Sequence, residues 1–244
     1  MIVFGSTHAG LVRPYNQDRF ECAALSDTLA FAVLCDGIGG ENGGGVAAEL
    51  SAGFAATMLR RDLNSGLGEF SLRAIMQSAF SGANALVLET AKQDEALTGM
   101  GTTMIIAVHC GRTLYLSNVG DSRAYLVSGQ KEELLSHDHT LVQMLVDSGK
   151  LSEEEALTHP QRHYLTRAVG VAPVLDVEFS VHDVSPGETA LLCSDGLYHY
   201  LQPGGIHTVL AKALEENSAQ ALITHALSGG GGDNVTAVVM HVKE

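Results

Sequence analysis

Five aspartates stand at the predicted edges of strands, each near glycine, asparagine or serine: Asp18, Asp36, Asp121, Asp195 and Asp233. An aspartate followed by glycine at a strand end can offer a carboxylate and a backbone carbonyl to one hard cation. Their intervals of 18 to 85 residues match no local metal motif, and aspartate and glycine are also ordinary turn residues. The five can therefore form a site only if the fold brings them together.

The glycine-rich stretch at 37–45 allows a second interpretation, because it follows a predicted strand and opens a predicted helix. Its spacing does not fit a dinucleotide site, since Asn42 stands where the third glycine of G-x-G-x-x-G should fall. Asp36 would repel a pyrophosphate, and no P-loop lysine follows the glycines. The sequence also lacks H-E-x-x-H, G-x-S-x-G and H-R-D motifs, so cation binding is the better hypothesis.

Short, β-branched apolar runs predict strands at 2–9, 19–25, 29–35, 103–109, 113–119, 123–128, 175–182, 188–193 and 235–242. Helical periodicity predicts helices at 44–62, 69–94, 139–148, 152–157 and 203–227, the last broken near Asn217 and Ser218. Strands dominate both ends of the chain, and two long helices lie together between them. Such segregation favours an α+β fold over alternating βαβ units.

Three local patterns refine this picture. The first two helices carry apolar stripes, formed by Val46, Leu50, Phe54 and Met58 and then by Leu72, Ile75, Ala79, Ala83 and Leu86. Gly120-Asp121-Ser122, a sequence typical of a tight turn, separates two predicted strands. No internal repeat or linker-length segment occurs, so we expect one domain over residues 1–244.

Composition narrows the possible partners. Aspartate and glutamate outnumber lysine and arginine by 28 to 14, and the net charge of −14 disfavours nucleic acid and anionic membranes as partners but suits cations. The longest apolar stretch, 29–35, is far shorter than the roughly 18 residues of a membrane helix, and the N-terminus lacks the pattern of a signal peptide. Four widely spaced cysteines predict reduced thiols in a cytosolic protein.

Eight short motifs follow one another along nearly the whole chain: Gly10-Leu-Val-Arg13-Pro-Tyr-Asn16-Gln-Asp18, Asp36-Gly37-Ile-Gly39-Gly40, Gly101-Thr102-Thr103, Gly120-Asp121-Ser122-Arg123-Ala-Tyr125, Asp138-His139-Thr140, Leu165-Thr166-Arg167-Ala-Val-Gly170, Ser194-Asp195-Gly196-Leu197 and Asp233-Asn234-Val-Thr236. Each motif is weak alone, but eight in a fixed order are highly specific. The chain thereby resembles the metal-dependent serine/threonine protein phosphatases of type 2C, the PPM family, in its compact bacterial form. The resemblance implies a four-layer α-β-β-α sandwich, in which two antiparallel sheets are flanked by helix pairs and a binuclear metal centre lies at one edge.

The resemblance also implies roles for individual residues. Asp36 is similar to the carboxylate that bridges two metals, and Gly37 to the residue that lends its carbonyl. Asp195 and Asp233 resemble the remaining ligands of the first metal. Asp18 resembles the carboxylate of the second metal, or the residue that holds its water.

Two further positions complete the implied site. Arg13 is placed like the arginine that clamps the substrate phosphate, for which its planar fork is suited; from the residues alone, a surface ion pair would be the preferred interpretation. Asp121 matches the aspartate of a third, weaker metal site in bacterial members. Because all-oxygen ligands select hard cations, the implied cofactors are two Mg²⁺ or Mn²⁺ ions, or three if the site at Asp121 is filled.

Three positions depart from typical members of the family. Ile38 stands where some eukaryotic members carry a histidine proposed as general acid, so protonation of the leaving group must come from another source. Gln17 replaces a frequent glutamate, which shifts metal coordination towards Asp18. His199 stands where many members have an acid that would help Asp121 hold the third metal.

The implied activity is hydrolysis of phosphoserine and phosphothreonine in proteins by metal-activated water attacking in line, in opposition to a bacterial serine/threonine kinase. The segment at 146–164 resembles the family's flap, and its composition suits either a mobile substrate-reading lid or an ordinary solvated helix and loop. Two other functions remain open: a non-catalytic phosphoprotein-binding module, and a phosphatase tuned to anti-sigma-type regulators. We expect a cytoplasmic monomer whose partners are phosphorylated proteins and a cognate kinase.

Overall fold

The computed structural model describes residues 1–39 and 43–243. Gly40, Glu41 and Asn42, in the middle of the glycine-rich stretch, lie outside the described residues. The strands are Ile2–His8 (β1), Arg19–Ala24 (β2), Leu29–Cys35 (β3), Gly37–Ile38 (β4), Gly101–Thr102 (β5), Met104–Cys110 (β6), Thr113–Val119 (β7), Arg123–Ser128 (β8), Lys131–Leu134 (β9), Glu178–Asp183 (β10), Thr189–Cys193 (β11) and Val235–His241 (β12). The α-helices are Gly43–Asp62 (α1), Glu69–Gln93 (α2), Leu141–Asp147 (α3), Glu153–Thr158 (α4), Asp195–Tyr198 (α5), Ile206–Glu216 (α6) and Gln220–Ser228 (α7).

Two five-stranded antiparallel sheets form the centre of the molecule. One has the strand order β1-β12-β11-β8-β9 and the other β10-β7-β6-β3-β2. Helices α1 and α2 pack on the outer face of the second sheet, and α6 and α7 pack on the outer face of the first. A third apolar cluster fills the space between the sheets. The predicted α+β fold, a four-layer α-β-β-α sandwich, is confirmed.

Strand β3 explains why this arrangement forms. All seven of its residues are buried, because alternate side chains face two different apolar layers. Phe31 and Val33 point into the helix-covered layer, and the smaller Ala30 and Ala32 point into the layer between the sheets. A central strand of this kind appears in the sequence as a continuous apolar run rather than as an alternating pattern.

The nine strands predicted from the sequence are confirmed to within a few residues, as are the predicted helices. The break predicted near Asn217 separates α6 from α7, where Asn217 adopts a left-handed conformation with φ of 47°. The sequence analysis missed β4, β5, β9 and α5. The first two strands have two residues each, α5 is a single turn, and β9 is a charged edge strand, so none has enough apolar periodicity to be detected.

The predicted tight turn at 120–122 is present, but it does not close a hairpin. Strand β7 pairs with β6 and β10, and β8 pairs with β9 and β11, so the turn crosses from one sheet to the other. Gly120 has φ of 108°, and a Cβ atom there would lie 2.6 Å from the side chain of Thr103. The close approach of this turn to Thr103, just before the neighbouring strand β6 of the same sheet, therefore requires glycine.

The apolar stripe predicted on α1 is not the buried face of that helix. Phe54 is 36% exposed, and Val46, Leu50 and Met58 are only partly buried. The fully buried side chains are mainly alanines, including Ala48 and Ala55. The small residues let the helix backbone approach the sheet closely. The larger side chains Val46, Leu50 and Met58 pack against the edge of the same apolar cluster.

Within the described residues, no helix has the length and apolar content needed to span a membrane.

Close packing of the alanine face predicts a size limit at Ala55. Ala55→Leu should lower the free energy of unfolding by about 1–3 kcal/mol, because added methylenes overpack a filled layer. The matched control is Gly53→Ala on the open side of the same helix, where a Cβ atom meets nothing within 4 Å. That variant should raise stability by about 0.5–1 kcal/mol. Urea unfolding measures both, and equal effects of the two substitutions would contradict the packing interpretation.

Candidate metal centre

The strand pairing brings the ends of distant segments to one edge of the sandwich. Strands β2 and β3 run antiparallel with Arg19 opposite Cys35. Asp18 immediately precedes β2 and Asp36 immediately follows β3, so the two carboxylates become neighbours although 18 residues separate them in sequence.

The other sheet delivers its aspartates to the same edge. Cys193, at the end of β11, lies opposite Arg123 of β8 and Ala237 of β12. Asp195 follows β11, Asp121 precedes β8 and Asp233 precedes β12. Three chain segments of this sheet therefore end beside Asp18 and Asp36, the pair at the ends of β2 and β3.

One open cavity lies at this edge, and six of the seven predicted site residues line it: Arg13, Asp36, Gly37, Asp121, Asp195 and Asp233. The seventh, Asp18, is fully buried beneath it. The two departures Gln17 and Ile38 also line the cavity.

Asp18 is held by hydroxyl groups from the opposite sheet. Its Oδ2 accepts hydrogen bonds of 2.7 Å from the hydroxyls of Ser194 and Thr236. The Thr236 hydroxyl in turn lies 2.6 Å from that of Thr7, which accepts from the Asn16 amide. The other carboxylate oxygen of Asp18, Oδ1, is buried and makes no hydrogen bond with the described residues.

The backbone of Asp36 is fixed by Thr102 and Thr103. The Asp36 carbonyl accepts from the Thr103 amide and the Thr102 hydroxyl, each at 2.8 Å. The Asp36 amide donates to the Thr103 hydroxyl at 2.9 Å. Next in the chain, a Cβ atom on Gly37 would lie 2.3 Å from the Gly44 carbonyl oxygen, so this position has room only for glycine.

Arg13 is exposed and pairs with one of the aspartates. Its guanidinium lies 2.8 Å from Asp233 Oδ2, with the arginine side chain 56% exposed. The Asn234 side chain supports the loop that carries Arg13, because it accepts from the Gln17 amide and donates to the carbonyls of Ala9 and Tyr15. The surface ion pair considered from the sequence is thus present, and its partner is itself a predicted metal ligand.

Crowding of buried carboxylates dominates the electrostatics of the cavity. Burial, followed by the charge of Asp138, raises the pKa of Asp121 to about 7. Burial and the charges of neighbouring aspartates raise the pKa of Asp195 to about 8 and hold the pKa of Asp36 well above its ordinary range. Burial also raises the pKa of Asp18 to about 6, against the effect of its hydroxyl donors.

Divalent cations fit this set of residues. The cavity offers several carboxylates whose mutual repulsion a cation would relieve, and Asp18 Oδ1 is a buried acceptor without a hydrogen-bond partner. The donors are oxygen atoms, which Mg²⁺ and Mn²⁺ prefer.

Sequence analysis gave no role to the hydroxyl residues that hold these aspartates, namely Thr102, Thr103, Ser194 and Thr236. Ser194 and Thr236 stand in motifs that contain a site aspartate, whereas Thr102 and Thr103 form a motif without one, so membership of the eight ordered motifs was the available signal.

Two histidines lie beside Asp195. The Nδ1 atoms of His163 and His199 are each 4.0 Å from Asp195 Oδ2. His199 was noted from the sequence as a departure, whereas His163 was noted only as part of the flap; it lines the cavity.

The chain matches known proteins along nearly its whole length. The sequence profile of protein phosphatase 2C matches residues 7–228. The serine/threonine phosphatase stp of Listeria innocua is 31% identical over 235 residues, which cover 96% of this chain and 93% of that protein. The Streptococcus agalactiae serine/threonine phosphatase structure is 31% identical, with a TM-score of 0.90 and 99% coverage of both chains.

A third match includes metal. The catalytic domain of the serine/threonine protein phosphatase PstP, solved in complex with two manganese ions, is 33% identical with a TM-score of 0.79. The match covers 99% of this chain and 98% of the PstP chain.

This chain belongs to the protein phosphatase 2C family, the metal-dependent serine/threonine phosphatases of PPM type. It is an enzyme of that hydrolase class, and the cofactor of the class is Mn²⁺ or Mg²⁺.

The raised carboxylate pKa values predict a pH dependence of the metal-free protein. The folded state of Asp121 and Asp195 keeps protons that the unfolded state, with an ordinary pKa of about 3.9, has lost. The free energy of unfolding should therefore fall as pH rises from about 5 to 7, by at most about 1.4 kcal/mol per pH unit for each proton, and the slope should flatten above about pH 8, where the folded state has lost these protons as well. Chemical denaturation in EDTA measures this slope.

The control for this pH prediction is the double variant Asp121→Asn/Asp195→Asn, whose metal-free slope should be flatter. Saturating manganese should flatten the wild-type slope as well, because the cation favours the ionised carboxylates. If the slope is unchanged in the double variant, groups other than Asp121 and Asp195 cause the pH dependence of the free energy of unfolding.

Proposed function

We propose that this enzyme removes phosphate from phosphoserine and phosphothreonine in proteins, using a pair of Mn²⁺ or Mg²⁺ ions. The observation that carries the proposal is the convergence of five aspartates from both sheets on one open cavity with an arginine at its mouth. The serine/threonine specificity that the relatives' names state supports the choice of substrate.

The aspartates would divide the ions between them. Asp36 would bridge the two ions, and Asp195 and Asp233 would complete the first site with the Gly37 carbonyl. Asp18 would serve the second site with its unpartnered Oδ1. When bound, such an ion pair supplies Lewis acidity and lowers the pKa of water, which provides a nucleophile at neutral pH.

Arg13 would bind the phosphate of the substrate. Its guanidinium is a planar fork that matches two phosphate oxygens, and its exposure lets it move. It would leave Asp233 for the phosphoryl group, and so place the phosphorus atom over the aspartate cluster.

The rim of the cavity suits a polypeptide rather than a small phosphate ester. Tyr15 lines the cavity and is 62% exposed, and Leu11 and Val12, just before Arg13 in the chain, are 65% and 71% exposed. Tyr164, between the cavity-lining residues His163 and Leu165, is 60% exposed. Apolar side chains at the mouth of a polar cavity can pack against residues on either side of a phosphorylated serine or threonine.

We further propose that residues 1–244 form a single catalytic domain with a flap at 146–164. The flap begins at the end of α3 and contains α4, which has a capping box formed by Ser152 and Glu155. An isolated bridge between Thr140 and Leu165 joins the chain before the segment to the residue that follows it. Leu157 of this segment is 76% exposed and no residue of α4 is buried, which favours a mobile lid over a fixed layer.

A phosphatase of this kind needs a source of phosphoproteins, so we propose that it opposes a serine/threonine kinase. We place the enzyme in the cytoplasm as a monomer, on the basis of its free cysteines and strongly acidic composition. The binding-module hypothesis predicts binding of a phosphopeptide without release of phosphate. The regulator-specific hypothesis predicts turnover of one regulator but not of generic phosphothreonine peptides.

Asp36→Ala tests the proposed bridge. Loss of this carboxylate should lower manganese-dependent hydrolysis of an aryl phosphate and of a phosphothreonine peptide by at least about a hundredfold. The metal-free variant should be no less stable than the wild type, since a buried carboxyl group that is costly to ionise has been removed. The control is Asp183→Ala at the exposed end of β10, which should retain full turnover. Full activity of the Asp36 variant would defeat the proposal.

Asp121→Ala tests the third ion. In a manganese titration followed by calorimetry, the variant should keep the tighter binding events and lose the weakest one. Its turnover at a given manganese concentration should fall by about tenfold or more, whereas Asp147→Ala in the flap region should titrate like the wild type. Superimposable curves for the Asp121 variant and the wild type would remove the third site from the reaction.

A further inference from the structure

Two imidazoles and one carboxylate meet at the boundary between the flap and the core. His163 lies in the turn after α4, and His199 is the residue that ends α5. The Nδ1 atom of each ring is 4.0 Å from Asp195 Oδ2, and one ligand atom from each of the three residues lies within 4.8 Å of the others.

The two rings are held in place but leave their nitrogens free. The ring planes of His163 and His199 meet at 87° with centroids 5.6 Å apart, and the ring of Tyr198 contacts His199 edge-on at 4.7 Å. Among the described residues, neither imidazole makes a hydrogen bond through its ring. Both side chains are also accessible, at 50% and 43% exposed.

The donor set differs in chemistry from the aspartate cluster. Two imidazole nitrogens with one carboxylate favour Zn²⁺ and similar transition-metal cations over Mg²⁺ and Mn²⁺. In a tetrahedral site with bonds of about 2.1 Å, ligand atoms stand about 3.4 Å apart, so side-chain rotations of well under 1 Å each would close the observed 4.0 Å spacings.

Charges around the three residues also favour a cation. Asp121, Asp233 and Asp18 act on Asp195, which also interacts with Arg13, and Arg162, Arg123 and Asp138 act on His199. With Asp195 itself, five carboxyl groups face three guanidiniums.

We propose that His163, His199 and Asp195 bind one transition-metal cation of the zinc class, which competes with the paired Mn²⁺ or Mg²⁺ ions for Asp195, and that this cation inhibits the enzyme. Inhibition has two causes in the geometry. The cation takes Asp195 away from the catalytic pair, and it ties the flap to the core through His163. The inhibitory part rests on the proposed function, whereas the binding part does not.

Cobalt absorption tests the binding without any turnover. Co²⁺ is added to the protein at a fixed, moderate Mg²⁺ concentration, so that the two cations compete for Asp195. The wild type should give the strong visible absorption of a low-coordinate site with nitrogen ligands, and Zn²⁺ should displace it. His163→Gln and His199→Gln should each weaken cobalt binding by at least about tenfold. The matched control His159→Gln, four residues before His163 in the same flap, should bind like the wild type.

Zinc inhibition of magnesium-dependent turnover tests the consequence. The double variant His163→Gln/His199→Gln should need at least about tenfold more Zn²⁺ for half-inhibition than the wild type or the His159 control. Thermal unfolding without metal shows whether the variants fold, as expected from the exposure of both side chains. Cobalt spectra that are insensitive to both histidines, or equal zinc inhibition in all variants, would overturn the proposal. Absence of any turnover in the wild type would instead refute the phosphatase function, and the cobalt spectra would still decide the site.

Discussion

The rest of this structure depends on the repulsion among carboxylates that the fold forces together. Asp18, Asp36, Asp121 and Asp195 all have a raised pKa, and burial is the first cause in each case. A protein of net charge −14 gains no stability by concentrating further negative charge at one edge. The arrangement makes physical sense only if cations offset the cost, and metal binding and folding of this edge are therefore coupled.

The scaffold resists this repulsion by crossing the two sheets with hydrogen bonds. Asp18 belongs to the β2 and β3 side, and the hydroxyls that hold it belong to Ser194 and Thr236 of the opposite sheet. Ser194 also accepts from the Thr236 amide, so its hydroxyl has both a donor and an acceptor partner. The same two groups that fix the carboxylate thus join the layers at the one edge where an apolar core cannot do so.

Apolar patterning was enough to find most strands and helices, because β3, β6 and β12 are long runs that face two packed layers. It could not show which strands pair, since the turn at 120–122 suits a hairpin but crosses between sheets. It also misplaced the buried face of α1, where small alanines pack closest. The convergence of the aspartates depends on strand order, so only the family resemblance could anticipate it. His163 escaped notice because its position depends on the fold of the flap.

The pairing of Arg13 with Asp233 follows from the same negative potential that attracts metal. The Arg13 guanidinium donates to Asp233 Oδ2 at 2.8 Å, so a positive side chain already pairs with a predicted metal ligand. Asp233 cannot give that oxygen to Arg13 and to an ion with full strength at the same time, so metal and arginine compete for it. Weakening of the pair frees the guanidinium for the anion that the site is proposed to bind. The ions would then raise the affinity of the site for phosphate in two ways. They attract the phosphate by their own charge, and they release Arg13 from Asp233 to bind it.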